Sequence, residues 1–279
     1  MAGSSVALAY KRSALMTATK VTVKPPSEQV LKARDDFKAF CTYLGKPPAK
    51  HMLEWHRELC TGKDSECLIG ISGPNTSILA PRGSAKSTVL GLYAAWMIGR
   101  HTAAKKMLRI LYIAYMVDIS RAKSATIKGI LTSNKYREIF PMVRLSKVRR
   151  SDEYWSIDYE FAGIETAGEE AFTIACGGLK GAITSKRSQL VLIDDPIKSA
   201  ASINNPDIRR EMEQTWSNVI APTMFQGARA ICLGTRFHFD DIHATVFVPK
   251  NNWKQIIQKA VITDADGRQK SYWPDFWSM

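Results

Sequence analysis

The stretch Ser77-Ile-Leu-Ala-Pro-Arg-Gly-Ser-Ala-Lys-Ser-Thr88 decides how the rest of the chain is read. An apolar run enters a tight loop, and Lys86-Ser87-Thr88 opens a helical pattern that runs to Ile98. This is the layout of a phosphate-binding loop. Backbone N–H groups and the helix N-terminus cradle phosphates, a lysine reaches the β- and γ-phosphates, and the next hydroxyl binds Mg²⁺. The candidate nucleotide-binding residues are Ala80, Pro81, Arg82, Gly83, Ser84, Ala85, Lys86, Ser87 and Thr88. Ala80 and Ala85 stand where the strict pattern has glycine, which lets the backbone approach phosphate closely. A methyl group is tolerable there if the backbone keeps negative φ, so the two alanines depart from the pattern without ruling it out. The plainer alternative is a surface lysine on an ordinary strand–turn–helix.

A second element raises the reading above that alternative. Leu190-Val-Leu-Ile-Asp-Asp-Pro196 is an apolar strand ending in two carboxylates. A buried strand of this kind carries its acids to the carboxyl edge of a parallel sheet, where ligands bind. Asp194 is suited to hold Mg²⁺ together with Ser87. Asp195 is suited to orient or deprotonate an attacking water. A third strand, Ala228–Leu233, ends in Gly234-Thr235-Arg236-Phe237-His238, which places Thr235 to contact the water or the γ-phosphate.

The remaining pattern alternates. Apolar runs fall at Thr76–Ala80, Ile110–Tyr115, Ala171–Cys176, Leu190–Ile193, Ala228–Leu233 and Trp253–Ile262. Helical periodicity covers Glu28–Leu44, His51–Leu59, Lys86–Ile98, Ser120–Leu131 and Asp207–Val219. Alternating β and α elements predict an α/β fold with a mostly parallel central sheet flanked by helices. Arg150–Glu160 reads as a hairpin arm or as a strand. The expected organisation is a basic flexible arm over 1–27, an N-terminal helix or lid over 28–46, a P-loop ATPase core over 47–262 and the start of a linker over 263–279.

With 279 residues, 45% hydrophobic and 23% charged, the chain has an ordinary globular composition able to bury a sizeable core. No apolar run approaches the roughly 20 residues of a membrane span. The cysteines Cys41, Cys60, Cys67, Cys176 and Cys232 are odd in number and lack zinc-site spacing, so they read as reduced thiols of a cytosolic protein. The formal net charge is +13. Residues 101–150 hold twelve Lys or Arg against Asp118 and Glu138. Such a run is either a solvated face or a contact for a polyanion, by default nucleic acid.

Taken together, Ala-Pro-Arg-Gly-Ser-Ala-Lys-Ser, Leu-Ile-Asp-Asp-Pro-Ile-Lys, Gly-Thr-Arg-Phe-His-Phe-Asp-Asp and the segment Gly178–Arg187 resemble the terminase large subunits of tailed bacteriophages, over roughly residues 47–275. The strand and basic helix of Ile110–Leu131 resemble that family too. The resemblance implies an ASCE-type P-loop NTPase that hydrolyses ATP with Mg²⁺ and drives double-stranded DNA into a procapsid. It implies Arg82 acting in cis on the γ-phosphate, Gly234 and Thr235 as the coupling pair, and Arg187 as a candidate arginine finger supplied in trans. It implies a homo-oligomeric ring, a portal protein and a terminase small subunit as partners, and a place in the host cell cytoplasm, transiently at the procapsid portal. Family members have a nuclease domain after a segment like Tyr272–Met279, so no nuclease activity is expected of this stretch. Many members have Glu where this chain has Asp195, and their adenine-reading glutamine is not evident in Pro48–His56, where His51, Trp55 or His56 either meet the base or pack the helix.

Two other functions share parts of this pattern. A helicase-like DNA-dependent ATPase has the same loop and acidic strand but needs a second motor core. A degenerate P-loop serving as a DNA-binding module would bind without turnover.

Overall fold

The computed structural model describes residues 25–60, 73–166, 168, 170–180 and 186–277. Most of the basic arm expected over 1–27, Cys67, and residues 181–185 of the segment before the acidic strand lie outside the described residues.

Three helices come first: α1 (Glu28–Asp35), α2 (Phe37–Tyr43) and α3 (Met52–Leu59). The single helix read over Glu28–Leu44 is therefore two. The break is Asp36, whose backbone is extended and whose carboxylate accepts from the Ala39 N–H at 2.6 Å. An aspartate satisfies an open helix N-terminus better than it satisfies a helix interior, so the second helix starts anew there. Next come β1 (Asn75–Leu79), α4 (Lys86–Ala103), β2 (Ile110–Ala114), α5 (Val117–Thr132) and α6 (Asn134–Ile139). They are followed by β3 (Leu145–Arg150), β4 (Tyr154–Ile157), α7 (Tyr159–Ala162), β5 (Ile174–Gly178) and β6 (Ser188–Asp194). The chain continues through α8 (Pro206–Gln214), a π-wound turn over Thr215–Ile220, β7 (Met224–Gly234), α9 (Ile242–Thr245), β8 (Trp253–Ile257), β9 (Val261–Thr263) and β10 (Gln269–Ser271).

Eight strands form one sheet in the order β3-β4-β5-β2-β6-β7-β1-β8. From β5 to β8 every neighbour is parallel, and the antiparallel β3–β4 hairpin is added at the β5 edge. The ambiguous Arg150–Glu160 stretch is thus the turn and return strand of that hairpin. β9 and β10 pair only with each other, so Trp253–Ile262 is not one strand but two elements in two sheets.

The central strands explain their near-continuous apolar runs. Ile110, Tyr112, Leu190 and Leu192 point to one face and pack under α1 to α6. Leu111, Ile113, Val191 and Ile193 point to the other, under α8, Trp216 and Phe247. A strand buried on both faces has no solvent side to fill with polar residues. Residues 28–46 belong to the first of these cores rather than forming a detached lid. The Phe37 ring stacks on His56 at 4.4 Å, and the Trp96 indole N–H donates to the Ala33 carbonyl. Among the described residues no helix is long and apolar enough to cross a membrane.

One buried charge fastens the edge of this sheet. Arg229 on β7 is fully buried, donating to the carbonyls of Glu58 and Leu59 at 3.1 Å each, to Pro74 O at 3.0 Å and to Thr76 Oγ1 at 2.8 Å. Its guanidinium lies 3.7 Å from the buried Glu58 carboxylate. It thereby ties the carboxyl end of α3 to the start of β1 and to β7, at the end of these strands opposite the phosphate loop.

Candidate functional site: a phosphate loop facing two carboxylates

β1, β6 and β7 all run the same way, so the residues that follow them converge at one edge of the sheet. β7 lies between β1 and β6 and brings Gly234 and Thr235 between the loop and the acids. The topology and the loop together make this a P-loop NTPase fold of the ASCE arrangement.

The loop is built on left-handed backbone. Gly83 has φ 75° and Ala85 has φ 61°. The condition of negative φ is therefore not met at Ala85: the turn into α4 requires the conformation that glycine adopts freely, and alanine holds it at a cost. Ala80 does not; it is buried and not left-handed, its N–H donating to the Gly234 carbonyl at 3.0 Å.

Lys86 folds back over this loop. Its ammonium donates to Pro81 O at 2.9 Å, Ala80 O at 3.3 Å and Thr235 Oγ1 at 3.0 Å, and lies 3.7 Å from Asp195 Oδ1. Burial pushes its pKa down, opposed by the charges of Asp195 and Asp194. The Ser87 hydroxyl donates to Asp194 Oδ1 at 2.8 Å. Tyr112, on β2, donates to the other oxygen of Asp194 at 3.0 Å. Asp194 is buried, and desolvation raises its pKa despite both hydrogen bonds. Asp195 is half-buried, with φ 42°, a left-handed conformation that aspartate tolerates better than most residues. Desolvation raises its pKa too, against the lowering effect of Lys86 and Arg82. Thr235 Oγ1 donates to Ala80 O at 3.1 Å and stands 3.5 Å from Asp195 Oδ1.

The residues fit the metal that the pattern implies. A hydroxyl and a carboxylate in contact at a buried edge are hard oxygen donors, and Mg²⁺ uses one or two protein oxygens with phosphate and water completing its octahedron. Ser87 and Asp194 would hold it. A cavity of about 430 Å³ opens beside them, lined by Arg82 to Thr88, Asp195, Lys198, Thr235 and Phe237 among others. Arg82 crosses its rim, donating to Lys198 O at 2.6 Å with its guanidinium 4.9 Å from the centre of the Phe237 ring.

Arg187 is not brought to this cluster. It precedes β6, at the opposite end of the strand from Asp194, with its guanidinium 5.9 Å from the Phe225 ring. Seven strand residues separate the two ends by about 20 Å, so Arg187 cannot serve the site of its own chain. Trp55 and His56 are buried helix-packing residues, whereas His51 reaches the loop, its Nε2 3.5 Å from Ser84 O.

Several contributors give no signal in the sequence. Tyr112 reads only as a strand residue. Asp241 accepts from the N–H groups of Phe237, His238 and His243 and so fixes the loop after Thr235. The His243 ring sits against Gly234, where an added Cβ would lie 2.5 Å from its Cε1, and burial drives the His243 pKa down to about 4. Lys123, counted above with the basic run, lines a second cavity of about 630 Å³ beside Ser87 and Thr88, and its charge favours ionised Asp194 and Asp195. The rest of that run is largely partnered within the chain. Arg121 pairs with Glu153 and Asp118, Lys128 with Asp152, Lys105 donates to Ala162 O, and Arg109 is buried. Lys147, Arg149 and Arg150 are exposed on the edge strand β3.

No protein-family model matches the chain, and no curated protein does. Among solved structures, the chain is similar to a mutant of the large terminase ATPase domain of Thermus phage P74-26, at 14% identity and TM-score 0.43, covering 84% of this chain and 86% of that one. It is similar to the large terminase of a thermophilic bacteriophage in complex with ATP-gamma-S, at 11% identity and TM-score 0.42, covering 84% of this chain and 44% of that one. It therefore spans less than half the length of that terminase. A third likeness is to the N-terminal domain of the DNA packaging ATPase from bacteriophage phi29, at 14% identity and TM-score 0.40, covering 67% of this chain and 90% of that one.

Proposed function

We propose that this chain is the ATP-hydrolysing motor domain of a viral DNA-packaging terminase. The observation that carries the catalytic part is one cluster. Ser87 meets Asp194 at 2.8 Å, while the Lys86 ammonium sits 3.0 Å from Thr235 and 3.7 Å from Asp195. Five side chains from three separate segments converge on the open end of a phosphate loop. The packaging part is supported by the joint occurrence of the loop, the Asp-Asp strand and the Gly-Thr-Arg-Phe-His segment in one sequence.

Each residue then has a task. The Lys86 ammonium, now held by loop carbonyls, exchanges them for the β- and γ-phosphate oxygens. Mg²⁺ at Ser87 and Asp194 would neutralise charge on the same phosphates. Tyr112 keeps the Asp194 carboxylate turned towards Ser87. Asp195, whose pKa is raised by its surroundings, accepts a proton from the attacking water or orients it. Thr235, touching both Lys86 and the loop carbonyl of Ala80, moves when Lys86 moves, and so links phosphate occupancy to β7. Arg82 swings from the Lys198 carbonyl to the γ-phosphate.

The exposed cations of β3 are the element assigned to duplex DNA, contacting phosphates without reading bases. A ring of copies, a portal protein, a small subunit and a place in the host cell cytoplasm complete the proposal. In such a ring, Arg187 would act on a neighbouring copy.

Steady-state hydrolysis of ATP with Mg²⁺ and duplex DNA tests the assignment. Lys86→Ala is expected to lose nucleotide binding. Asp195→Asn is expected to keep binding and to lower turnover by roughly 10²–10⁴-fold, the range for a positioned general base. Turnover that survives Asp195→Asn would remove Asp195 from its role; tight nucleotide binding by Lys86→Ala would remove the loop from its own.

A further inference from the structure

The phosphate site leaves the nucleoside end of a bound nucleotide without a partner, and the geometry of the sheet limits where that end can go. β1, which leads into the loop, lies between β7 and β8. The groups suited to the γ-phosphate and its metal, Lys86, Thr235, Asp195 and Asp194, all lie towards β7 and β6. A triphosphate with its reacting end there points its nucleoside back across the loop, towards the β8 side.

The chain itself returns to that place. After β8 and the β9–β10 hairpin, residues 272–277 cross to the loop. His51 ties them down, with its ring 5.0 Å from Tyr272, 4.8 Å from Trp273 and its Nε2 3.5 Å from the Ser84 carbonyl. Trp273 stacks on Phe276 at 4.8 Å, and Phe276 meets Trp277 edge-on at 5.3 Å. The Trp277 ring lies directly on the loop backbone, because a Cβ built on Gly83 would be 2.8 Å from its Cζ2. Phe276 and Trp277 are nevertheless 62% and 45% exposed. Two large aromatic faces held open beside a phosphate site, rather than folded into either core, are built for a flat ligand.

We infer that Phe276 and Trp277 form the base platform of this nucleotide site: the purine ring stacks on the Trp277 face, Phe276 stands edge-on beside it and meets the purine's rim, and the phosphates occupy the loop. The inference rests on the phosphate-site reading above. It also gives the segment after β10 a role in binding, so that this segment senses whether the loop is filled. Stacking uses the π-face common to all bases and is worth enough to change affinity by tenfold or more when the aromatic ring is lost.

The test compares two probes on the same chain: ATP, which has a base, and inorganic tripolyphosphate, which does not. Both are titrated with Mg²⁺ present, and folding of each variant is checked by its melting temperature. Trp277→Ala is expected to weaken ATP about tenfold and leave tripolyphosphate unchanged, with Trp277→Phe restoring most of the ATP affinity. Phe276→Ala, at a more exposed position, is expected to weaken ATP selectively as well and guards against a Trp277 variant that misfolds. If both probes weaken together, or neither changes, the platform is refuted while the phosphate site stands. If the unaltered chain binds neither probe, the phosphate-site reading itself fails, and the platform with it.

Discussion

Replacing Ala85 by glycine should make the protein more stable, against the usual direction of such a substitution. Ala85 is held at φ 61°, ψ 25°. The left-handed conformation costs an L-residue with a Cβ about 1–2 kcal/mol. Glycine is free of that cost but gives up roughly 0.4–1 kcal/mol through the greater freedom of its unfolded chain. The balance is a gain of about 0.5–1 kcal/mol, or a rise of about 1–2 °C in melting temperature for a domain of this size. Ala80 is the internal control. It is equally an alanine at a glycine position, but it is buried and not left-handed. Ala80→Gly loses a buried methyl group, about 0.8 kcal/mol, and adds the glycine entropy cost, so it should destabilise by about 1–2 kcal/mol. Thermal and denaturant unfolding of both variants without nucleotide measures the pair. Opposite signs are expected, together with ATP affinity in Ala85→Gly at least equal to that of the unaltered chain. If Ala85→Gly destabilises as much as Ala80→Gly, the loop does not hold the left-handed turn in solution, and the account of how this sequence does without its glycine is wrong.

Arg229→Ala should cost about 3 kcal/mol, since it removes buried hydrogen bonds to four oxygen acceptors and the guanidinium beside the Glu58 carboxylate, which is left to Lys254; urea midpoints will show it, and a loss below about 1 kcal/mol would mean the cluster is wet. Gly234→Ala drives a methyl group into the His243 ring and is expected to displace Thr235, lowering turnover well beyond its effect on melting; equal turnover would detach Thr235 from catalysis. The acid side of the turnover profile should lie above the ordinary aspartate range, because desolvation raises the Asp195 pKa and the residue must be ionised to act. The same raised pKa values of Asp194 and Asp195 contribute stability that is present at low pH and lost as pH rises through the folded pKa, so these two groups do not unfold the chain in acid. Turnover is therefore expected to fall while the melting temperature holds, and parallel loss of both would contradict the assignment.

What the sequence determined by itself was the identity of the segments that carry chemistry. The spacing Lys86-Ser87, the doubled acid ending an apolar strand, and the Gly-Thr pair ending another are local patterns, and the alternation of apolar runs with helical periodicity dictates a parallel sheet because strands covered on both faces have no polar side. The helix break at Asp36 and the division of Trp253–Ile262 were not legible, since both turn on where backbone hydrogen bonds find partners rather than on hydrophobic period. The tertiary structure alone decided the strand order that slides β7 between β1 and β6, and with it the contact of Thr235 with Lys86. It alone decided that Tyr112 meets Asp194, that Lys123 lines a cavity beside Ser87 while its neighbours Arg121 and Lys128 pair with acids, that Arg187 lies at the far end of its strand from Asp194, and that Trp277 rests on Gly83. Each of these joins residues far apart along the chain. A one-dimensional pattern records which face a residue shows, but only the packed sheet sets which distant side chain that face will meet.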